Sequence, residues 1–194
     1  FSIQTPKELV THVAFSLPGH HNLMNALMAF AMAYTYGVSV DLIKKALADF
    51  KGVQRRFSYQ IKSDNLVYID DYAHHPTEIN AVNQAVRELY PNKKILAIFQ
   101  PHLFSRTQDF ADDFALSLSR FDELLLLDIY PARELPIEGV TSEWLLSKIA
   151  NPHKKLTHQS TLISDILASD AQVIVTIGAG DIGEWVPSIK KALS

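Results

Sequence analysis

The sequence predicts an α/β protein, built mainly on a Rossmann-like, mostly parallel sheet over residues 55–194 with helices on both faces and one antiparallel edge strand. Short apolar runs such as residues 124–127 recur along this part of the chain. Between these runs, apolar residues return every three or four positions, a spacing typical of amphipathic helices. Strands that are apolar throughout indicate a sheet that is covered on both faces.

Residues 1–54 differ from the rest and are predicted to form a small separate piece. An apolar stretch indicates a strand over residues 10–17. A helix rich in alanine and methionine begins near His21, and a second helix occupies residues 40–50. The first helix carries a methionine at every fourth position, which we interpret as core packing. These methionines are Met24, Met28 and Met32.

The larger part opens with an antiparallel hairpin. Apolar and polar residues alternate over residues 57–61, a turn follows, and residues 66–69 form the return strand. Helices and strands then alternate. The predicted helices cover residues 76–90, 110–121, a stretch after residue 141, 162–167 and 186–193, and the predicted strands cover residues 95–99, 124–127 and 172–177.

Composition excludes several classes of protein. The 194 residues carry 18 lysines and arginines against 21 aspartates and glutamates, a formal net charge of −3, and 47% are hydrophobic, as in globular proteins. The weak acidity argues against a nucleic-acid partner, and the apolar runs are too short for membrane insertion. The absence of cysteine excludes disulfides and fits a cytoplasmic location. Because the chain begins at Phe1 rather than methionine, we expect a fragment of a longer protein.

Polar, titratable or glycine-rich residues follow four of the predicted strands. In an open α/β sheet, ligands bind outside the carboxyl ends of the strands, so these residues predict a binding or catalytic rim. The four sets are Asp70, Asp71, Tyr72, His74 and His75; Gln100, His102, Ser105 and Arg106; Asp128, Tyr130, Arg133 and Glu134; and Gly178, Gly180 and Asp181.

The first set places two carboxylates and two imidazoles within residues 70–78. These groups suit phosphate chemistry or a metal ion, and one alternative is a metal-dependent phosphohydrolase. Adjacent side chains of an extended segment point to opposite sides, so one metal ion rarely uses both His74 and His75. We therefore assign no metal ligands.

Two further segments indicate anion chemistry. The guanidinium of Arg106 can hold a carboxylate or phosphate through two hydrogen bonds. Residues 178–183 read GAGDIG, but they follow the last strand, which excludes dinucleotide binding and leaves a turn beside an anionic substrate or a purely structural turn. No glycine precedes a lysine, so the chain has no Walker A phosphate loop.

Two polar pairs leave open alternatives. Asn22 and Asn25 share a helix face and can match the edge of a base such as adenine, although from the residues alone capping by Asn22 and solvation of Asn25 are the better explanation. Arg55 and Arg56, at the predicted domain junction, can contact a phosphate or ribose, or form a salt bridge between the domains.

Six motifs in this order resemble the Mur ligases of peptidoglycan synthesis. They are GHHNLMNA at 19–26, GVQRRF at 52–57, DDYAHHPTE at 70–78, FQPHLFSRT at 99–107, DIYPARE at 128–134 and IGAGDI at 177–182. The resemblance implies that residues 1–54 end a central ATP-binding domain and that residues 55–194 are the C-terminal ligase domain. The remaining N-terminal domains would supply the phosphate loop, and the fragment alone would be inactive.

The activity implied by the resemblance is ATP-dependent joining of L-alanine to the carboxylate of UDP-N-acetylmuramate through an acyl phosphate, with Mg²⁺. A ligase that recycles murein tripeptide is the alternative within the family, and the segment 100–107 favours the alanine-adding member. The family often has arginine where this chain has Leu103, which leaves Arg106 or another residue to supply the positive charge.

The resemblance also implies roles for individual residues. The catalytic group comprises His74, His102 and Arg106. The ATP-binding group comprises His21, Asn22, Asn25, Arg56 and Asp71. The substrate-binding group comprises Tyr72, His75, Gly178, Ala179, Gly180 and Asp181.

Overall fold

The computed structural model describes residues 1–194, apart from the side chain of His21. The chain folds as two compact units, residues 1–53 and 54–194. This division lies one residue from the predicted one. The assignment of the first unit to a central ATP-binding domain stays a prediction.

The first unit is small and mainly helical. Its elements are β1 (Ile3–Gln4), β2 (Leu9–Val10), α1 (His20–Thr35) and α2 (Val40–Asp49). The predicted strand over residues 10–17 is wrong, because β2 ends at Val10 and His12 adopts a left-handed φ of 57° that interrupts the extended chain; beyond it, Val13 still exchanges two backbone hydrogen bonds with Phe1.

The methionine stripe of α1 does not pack in the core of this unit. The side chains of Met24, Met28 and Met32 are 43%, 59% and 71% exposed, whereas Ala26 and Phe30 are buried. The prediction of core packing is therefore wrong within the unit. The helix is apolar on more than one side, and periodicity alone does not tell which apolar side packs against the rest of the unit.

The second unit contains a six-stranded sheet. Its strands are β3 (Ser58–Lys62), β4 (Val67–Asp71), β5 (Ile95–Phe99), β6 (Glu123–Leu126), β7 (Lys154–Leu156) and β8 (Val173–Ile177). Its helices are α3 (Pro76–Leu89), α4 (Phe104–Asp109), α5 (Ala111–Leu118), α6 (Ser142–Lys148), α7 (Leu162–Leu167) and α8 (Ile182–Leu193).

The predicted fold class is confirmed. The strand order is β3-β4-β8-β5-β6-β7, with β3 antiparallel to β4 at one edge and the other pairs parallel. Helices α3, α5 and α6 pack on one face and α7 and α8 on the other. Burial of both faces explains why the central strands read as continuous apolar runs.

Two details of this unit differ from the prediction. The helix predicted over residues 110–121 is present but shorter, as α5. The short helix α4 before it was not predicted, and the backbone of Phe110 (φ −113°, ψ 21°) separates the two. The strand β7 was not predicted, since three residues, two of them lysines, carry no strand periodicity.

The topology positions the candidate site. Strand β8 is last in sequence but lies between β4 and β5. Because β4, β8, β5 and β6 are parallel, the segments after Asp71, Ile177, Phe99 and Leu126 all emerge at one edge of the sheet. Within the described residues, no helix is both long and apolar enough to cross a bilayer.

We expect the backbone amides of residues 1–53 to exchange with solvent faster than those of β4, β5 and β8. The only strands of the first unit are two residues long, and its helix α1 exposes apolar side chains, so local opening requires little disruption. Hydrogen exchange followed by mass spectrometry measures this difference. Equal protection of the two units would contradict the expectation.

Candidate active site at the carboxyl edge of the sheet

Side chains from several strand ends form a continuous row at this edge. The rings of His74 and His102 lie 6.1 Å apart between centroids, and Tyr72 packs edge-on against His74 at 5.5 Å. His102 stacks on Tyr130 at 5.6 Å. A Cβ atom on Gly180 would lie 2.7 Å from Cβ of Tyr130, so the backbone of that loop packs directly on the tyrosine. The structure thus brings together residues that follow β4, β5, β6 and β8, as the sequence predicts.

The two histidines present opposite hydrogen-bonding groups. Nδ1 of His74 lies 2.9 Å from the carbonyl oxygen of Tyr72, so Nδ1 donates and Nε2 keeps a lone pair. Nη1 of Arg106 lies 3.4 Å from Nδ1 of His102. Because a guanidinium only donates, Nδ1 of His102 accepts and its Nε2 carries the hydrogen. One ring can take up a proton and the other can donate a hydrogen bond to an oxyanion.

The surroundings of His102 favour its neutral form. Burial lowers the pKa of His102, and the positive charge of Arg106 lowers it further. Neutral imidazole is the form that both accepts from Arg106 and donates through Nε2.

The helix that carries Arg106 is tied to the loop after β6. Both carboxylate oxygens of Glu134 accept hydrogen bonds from Ser105, one from its hydroxyl and one from its backbone N–H at 2.9 Å. These hydrogen bonds hold the pKa of Glu134 below its usual range. Leu103 precedes the helix with a φ of +76°, and its N–H donates to the carbonyl of Tyr130 at 2.9 Å. The position of Arg106 is therefore set by a loop distant in sequence.

Asp71 holds a strained turn at residues 55–57. Arg55 and Phe57 both have left-handed backbones, with φ of +59° and +48°. The carboxylate of Asp71 accepts from the backbone N–H of Phe57 at 2.7 Å and from that of Ala73 at 2.8 Å. These bonds offset the cost of the strained backbone and leave Arg56 exposed at the apex of the turn.

Burial raises the pKa of Asp71 to about 6, although the N–H groups of Phe57 and Ala73 and the charge of Arg56 oppose the shift. The folded chain therefore binds this proton more tightly than the unfolded chain does. We expect this carboxyl to stabilise the fold at pH 4 and to lose that contribution, at most about 3 kcal/mol, as the pH rises through 6.

Urea unfolding of the wild type and of Asp71→Asn between pH 4 and 7 measures this contribution. The wild type should lose free energy of unfolding relative to the variant as the pH rises, because asparagine does not titrate. Parallel pH profiles of the two proteins would contradict the assignment to Asp71.

Arg55 is a site residue whose role the sequence did not reveal. Its Nε pairs with the buried carboxylate of Asp70 at 3.0 Å, and its Nη2 donates to the carbonyl of Gly178 at 2.7 Å. The guanidinium carbon lies 5.2 Å from the ring centre of Tyr72. The two arginines thus differ: Arg55 binds groups of the protein itself, and Arg56 is exposed to solvent. The signal in the sequence is an arginine and an aspartate 15 positions apart, which no local pattern connects.

Glycines of the GAGDIG segment make room for the protein's own side chains. A Cβ atom at Gly180 would lie 2.4 Å from Oε1 of Gln100, and one at Gly183 would lie 2.5 Å from Cζ of Arg55. Gln100 ties the segment down, since its Nε2 donates to Asp181 at 2.6 Å and its Oε1 accepts from the N–H of Ile182 at 2.9 Å. The segment is a fixed wall of the site, and the predicted contact with substrate stays a prediction.

We expect Gly183→Ala to change the free energy of unfolding in opposite directions in the wild type and in an Arg55→Ala variant. Alanine is the better helix former by about 1 kcal/mol, but in the wild type its Cβ would overlap the guanidinium of Arg55, so the substitution should destabilise the fold. In an Arg55→Ala background the same substitution should stabilise it. Thermal unfolding of the four proteins measures the effect, and the same sign in both backgrounds would contradict the contact.

Other predicted residues make contacts within their own unit. His75 caps α3 by accepting from the N–H of Thr77 at 3.3 Å and packs on Phe110, so its ring has a structural task. In the first unit, Asn22 is buried and donates to the carbonyl of Pro18 at 2.7 Å, and Asn25 is exposed. The side chain of His21 lies outside the described residues, and its predicted contact with ATP stays a prediction.

The carboxylates of the phosphohydrolase alternative are engaged by the protein itself. Asp70 accepts from Arg55 and from the hydroxyl of Thr176 at 2.9 Å, and Asp71 accepts from two backbone N–H groups. Among the side chains that the structure describes, no three histidines, aspartates or glutamates converge as metal ligands. The geometry gives that alternative no support.

The chain is similar to known proteins of one family. The family model described as Mur ligase, glutamate ligase domain, matches residues 55–181. A UDP-N-acetylmuramate–L-alanine ligase from Flavobacterium johnsoniae is 69% identical over the whole chain, which covers 43% of that protein. The chain thus spans less than half the length of the curated relatives it matches.

Solved structures show the same likeness. A UDP-N-acetylmuramate–alanine ligase from Thermotoga maritima superposes with a TM-score of 0.74 at 28% identity, covering 92% of this chain and 39% of that one. A murein peptide ligase from Psychrobacter arcticus superposes with a TM-score of 0.67 at 28% identity, covering 96% of this chain and 39% of that one.

Proposed function

The chain belongs to the Mur ligase family, and on that premise we propose that it is the C-terminal part of a ligase that joins L-alanine to UDP-N-acetylmuramate in peptidoglycan synthesis. The observation that carries the proposal is the row of His74, His102 and Arg106 at the carboxyl edge of the sheet. The 69% identity to an alanine-adding relative favours that substrate over a tripeptide.

The residues of the rim suit an activated carboxylate and an attacking amine. Arg106 supplies positive charge beside the reacting groups, and Nε2 of His102 donates a hydrogen bond where negative charge develops. Nε2 of His74 has the lone pair that can accept a proton from the amine. Tyr72 and the segment 178–181 line the side on which the amino acid enters.

ATP fits the residues of this chain in part. The exposed guanidinium of Arg56 suits a phosphate or ribose, and the fixed turn beneath it keeps the side chain at the rim. When bound, ATP supplies the phosphoryl group that activates the carboxylate. Both oxygens of Asp71 accept backbone hydrogen bonds, so we assign Asp71 to holding the turn of Arg56 and assign no Mg²⁺ ligand in the described residues.

The rest of the enzyme would complete the site. The curated relatives are more than twice as long as this chain, so we place the phosphate loop and the UDP-sugar site in N-terminal domains outside residues 1–194. We also place the reaction in the cytoplasm, where ATP is available, and expect residues 1–194 alone to be inactive.

An assay of the full-length protein tests the proposal. ADP release should require UDP-N-acetylmuramate and L-alanine together, and murein tripeptide should not replace L-alanine. Turnover with UDP-N-acetylmuramate and the tripeptide, but not with L-alanine, would identify the recycling ligase. Phosphate release from simple phosphomonoesters without UDP-N-acetylmuramate would identify a hydrolase. Either result would overturn the proposal.

A further inference from the structure

Arg55 connects three parts of the rim that are distant in sequence. Its guanidinium pairs with Asp70 at the end of β4, donates to the carbonyl of Gly178 after β8 and lies over the ring of Tyr72. Its backbone carbonyl also accepts from the N–H of Tyr72 at 2.6 Å. The side chain therefore links the tyrosine on one side of the site to the loop on the other.

The slot that holds the guanidinium is built from buried groups. Asp70 is 1% exposed, and its second oxygen accepts from the hydroxyl of Thr176, which lies 3.3 Å from the hydroxyl of Tyr68. The absence of a side chain at Gly183 leaves the space that the guanidinium fills. Both oxygens of the carboxylate are satisfied, so the pair of buried Asp70 and partly buried Arg55 has one geometry rather than several.

The guanidinium is directed at the protein and not at a substrate. Its N–H groups donate to a carboxylate and to a backbone carbonyl, and the guanidinium also lies against an aromatic ring. A lysine in its place can reach the carboxylate or the carbonyl but cannot bridge both and stack. Arg55 therefore acts through the groups that it holds.

We propose that Arg55 is a positioning residue of the ligase reaction. It keeps Tyr72 and the segment 178–181 in the relative positions that the incoming amino acid requires. This inference rests on the function proposed above, in which those two segments line the amino-acid side. If those two segments shift relative to each other, binding of the amino acid weakens. Binding of ATP, on the side where Arg56 lies, stays largely unchanged.

The test uses Arg55→Lys in the full-length protein, with Arg87→Lys as the matched control. Arg87 also pairs with a carboxylate, that of Asp122 at 2.9 Å, but near the amino end of β6 and away from the rim. We expect Arg55→Lys to raise the KM for L-alanine by about tenfold or more and to change the KM for ATP by less than about twofold. The control should leave both values unchanged.

Hydrogen exchange supplies a second measurement that does not depend on activity. In Arg55→Lys, the amides of residues 72–75 and 178–181 should exchange faster than in the wild type, while those of β5 stay protected. Unchanged exchange at both segments, an unchanged KM for L-alanine, or an equal rise in the KM of every substrate would each overturn the positioning role. A wild-type enzyme without L-alanine-dependent turnover would instead overturn the proposed function.

Discussion

Replacing Arg106 by alanine in the full-length protein is expected to lower kcat/KM by roughly 10²- to 10³-fold with little change in thermal stability. The guanidinium is partly exposed at the rim and lies 3.4 Å from Nδ1 of His102, so its removal takes positive charge from the reacting groups without opening the core. Its charge also helps to lower the pKa of His102, so the acid limb of the pH–rate profile should move to higher pH in the variant.

Arg120→Ala is the matched control. Arg120 is exposed and lies three residues before β6, at the opposite edge of the sheet from the rim, so its loss should leave turnover unchanged. Steady-state kinetics and thermal unfolding of both variants measure the effects. Wild-type turnover in Arg106→Ala, or a loss of activity that follows a loss of folded protein, would contradict the role assigned to Arg106.

Replacing Gly180 by alanine is expected to destabilise the fold by roughly 1–3 kcal/mol and to abolish most activity. The new Cβ would lie 2.4 Å from Oε1 of Gln100 and 2.7 Å from Cβ of Tyr130. The amide of Gln100 is buried and bonded to Asp181 and to the N–H of Ile182, so it has little freedom to move. A displaced Tyr130 would no longer support His102.

Gly139→Ala is a control that measures the cost of backbone strain without the steric overlap expected at Gly180. Gly139 has a φ of +78° and open space around its Cα, so alanine there suffers only the strain of a left-handed backbone, about 1 kcal/mol. Urea unfolding of both variants compares the two costs. If Gly180→Ala is no more destabilising than Gly139→Ala and keeps its activity, the contact with Tyr130 does not constrain the site.

Local patterns predicted most of the sheet, because burial on both faces imposes apolar residues on every central strand. The runs that became β5, β6 and β8 were recognisable for that reason. The edge strand β7 was missed, since a short strand with few buried side chains needs no such run. The short helix α4 before Phe110 was also missed, because its six residues carry no apolar spacing that predicts a helix.

The candidate site was predictable only as a list of strand ends. The rule that ligands bind at the carboxyl edge selected His74, His102 and Arg106, and the structure brings them together. The same rule did not separate them from His75, whose ring caps a helix. A side chain at a strand end has several partners within reach, and only packing decides between a structural and a solvent-facing orientation.

The sequence by itself determined the fold class, the edge of the sheet at which the candidate site residues meet and the motifs that connect the chain to its family. Tertiary structure alone decided that Arg55 turns inward while Arg56 stays outside, and that the methionines of α1 face away from the core of their unit. The physical reason is the distance along the sequence over which each kind of interaction acts. Periodicity and turn chemistry act over a few residues, whereas the contacts of Arg55 with Asp70, Gly178 and Gly183 join positions 15 to 128 apart, and those contacts exist only once the sheet has formed.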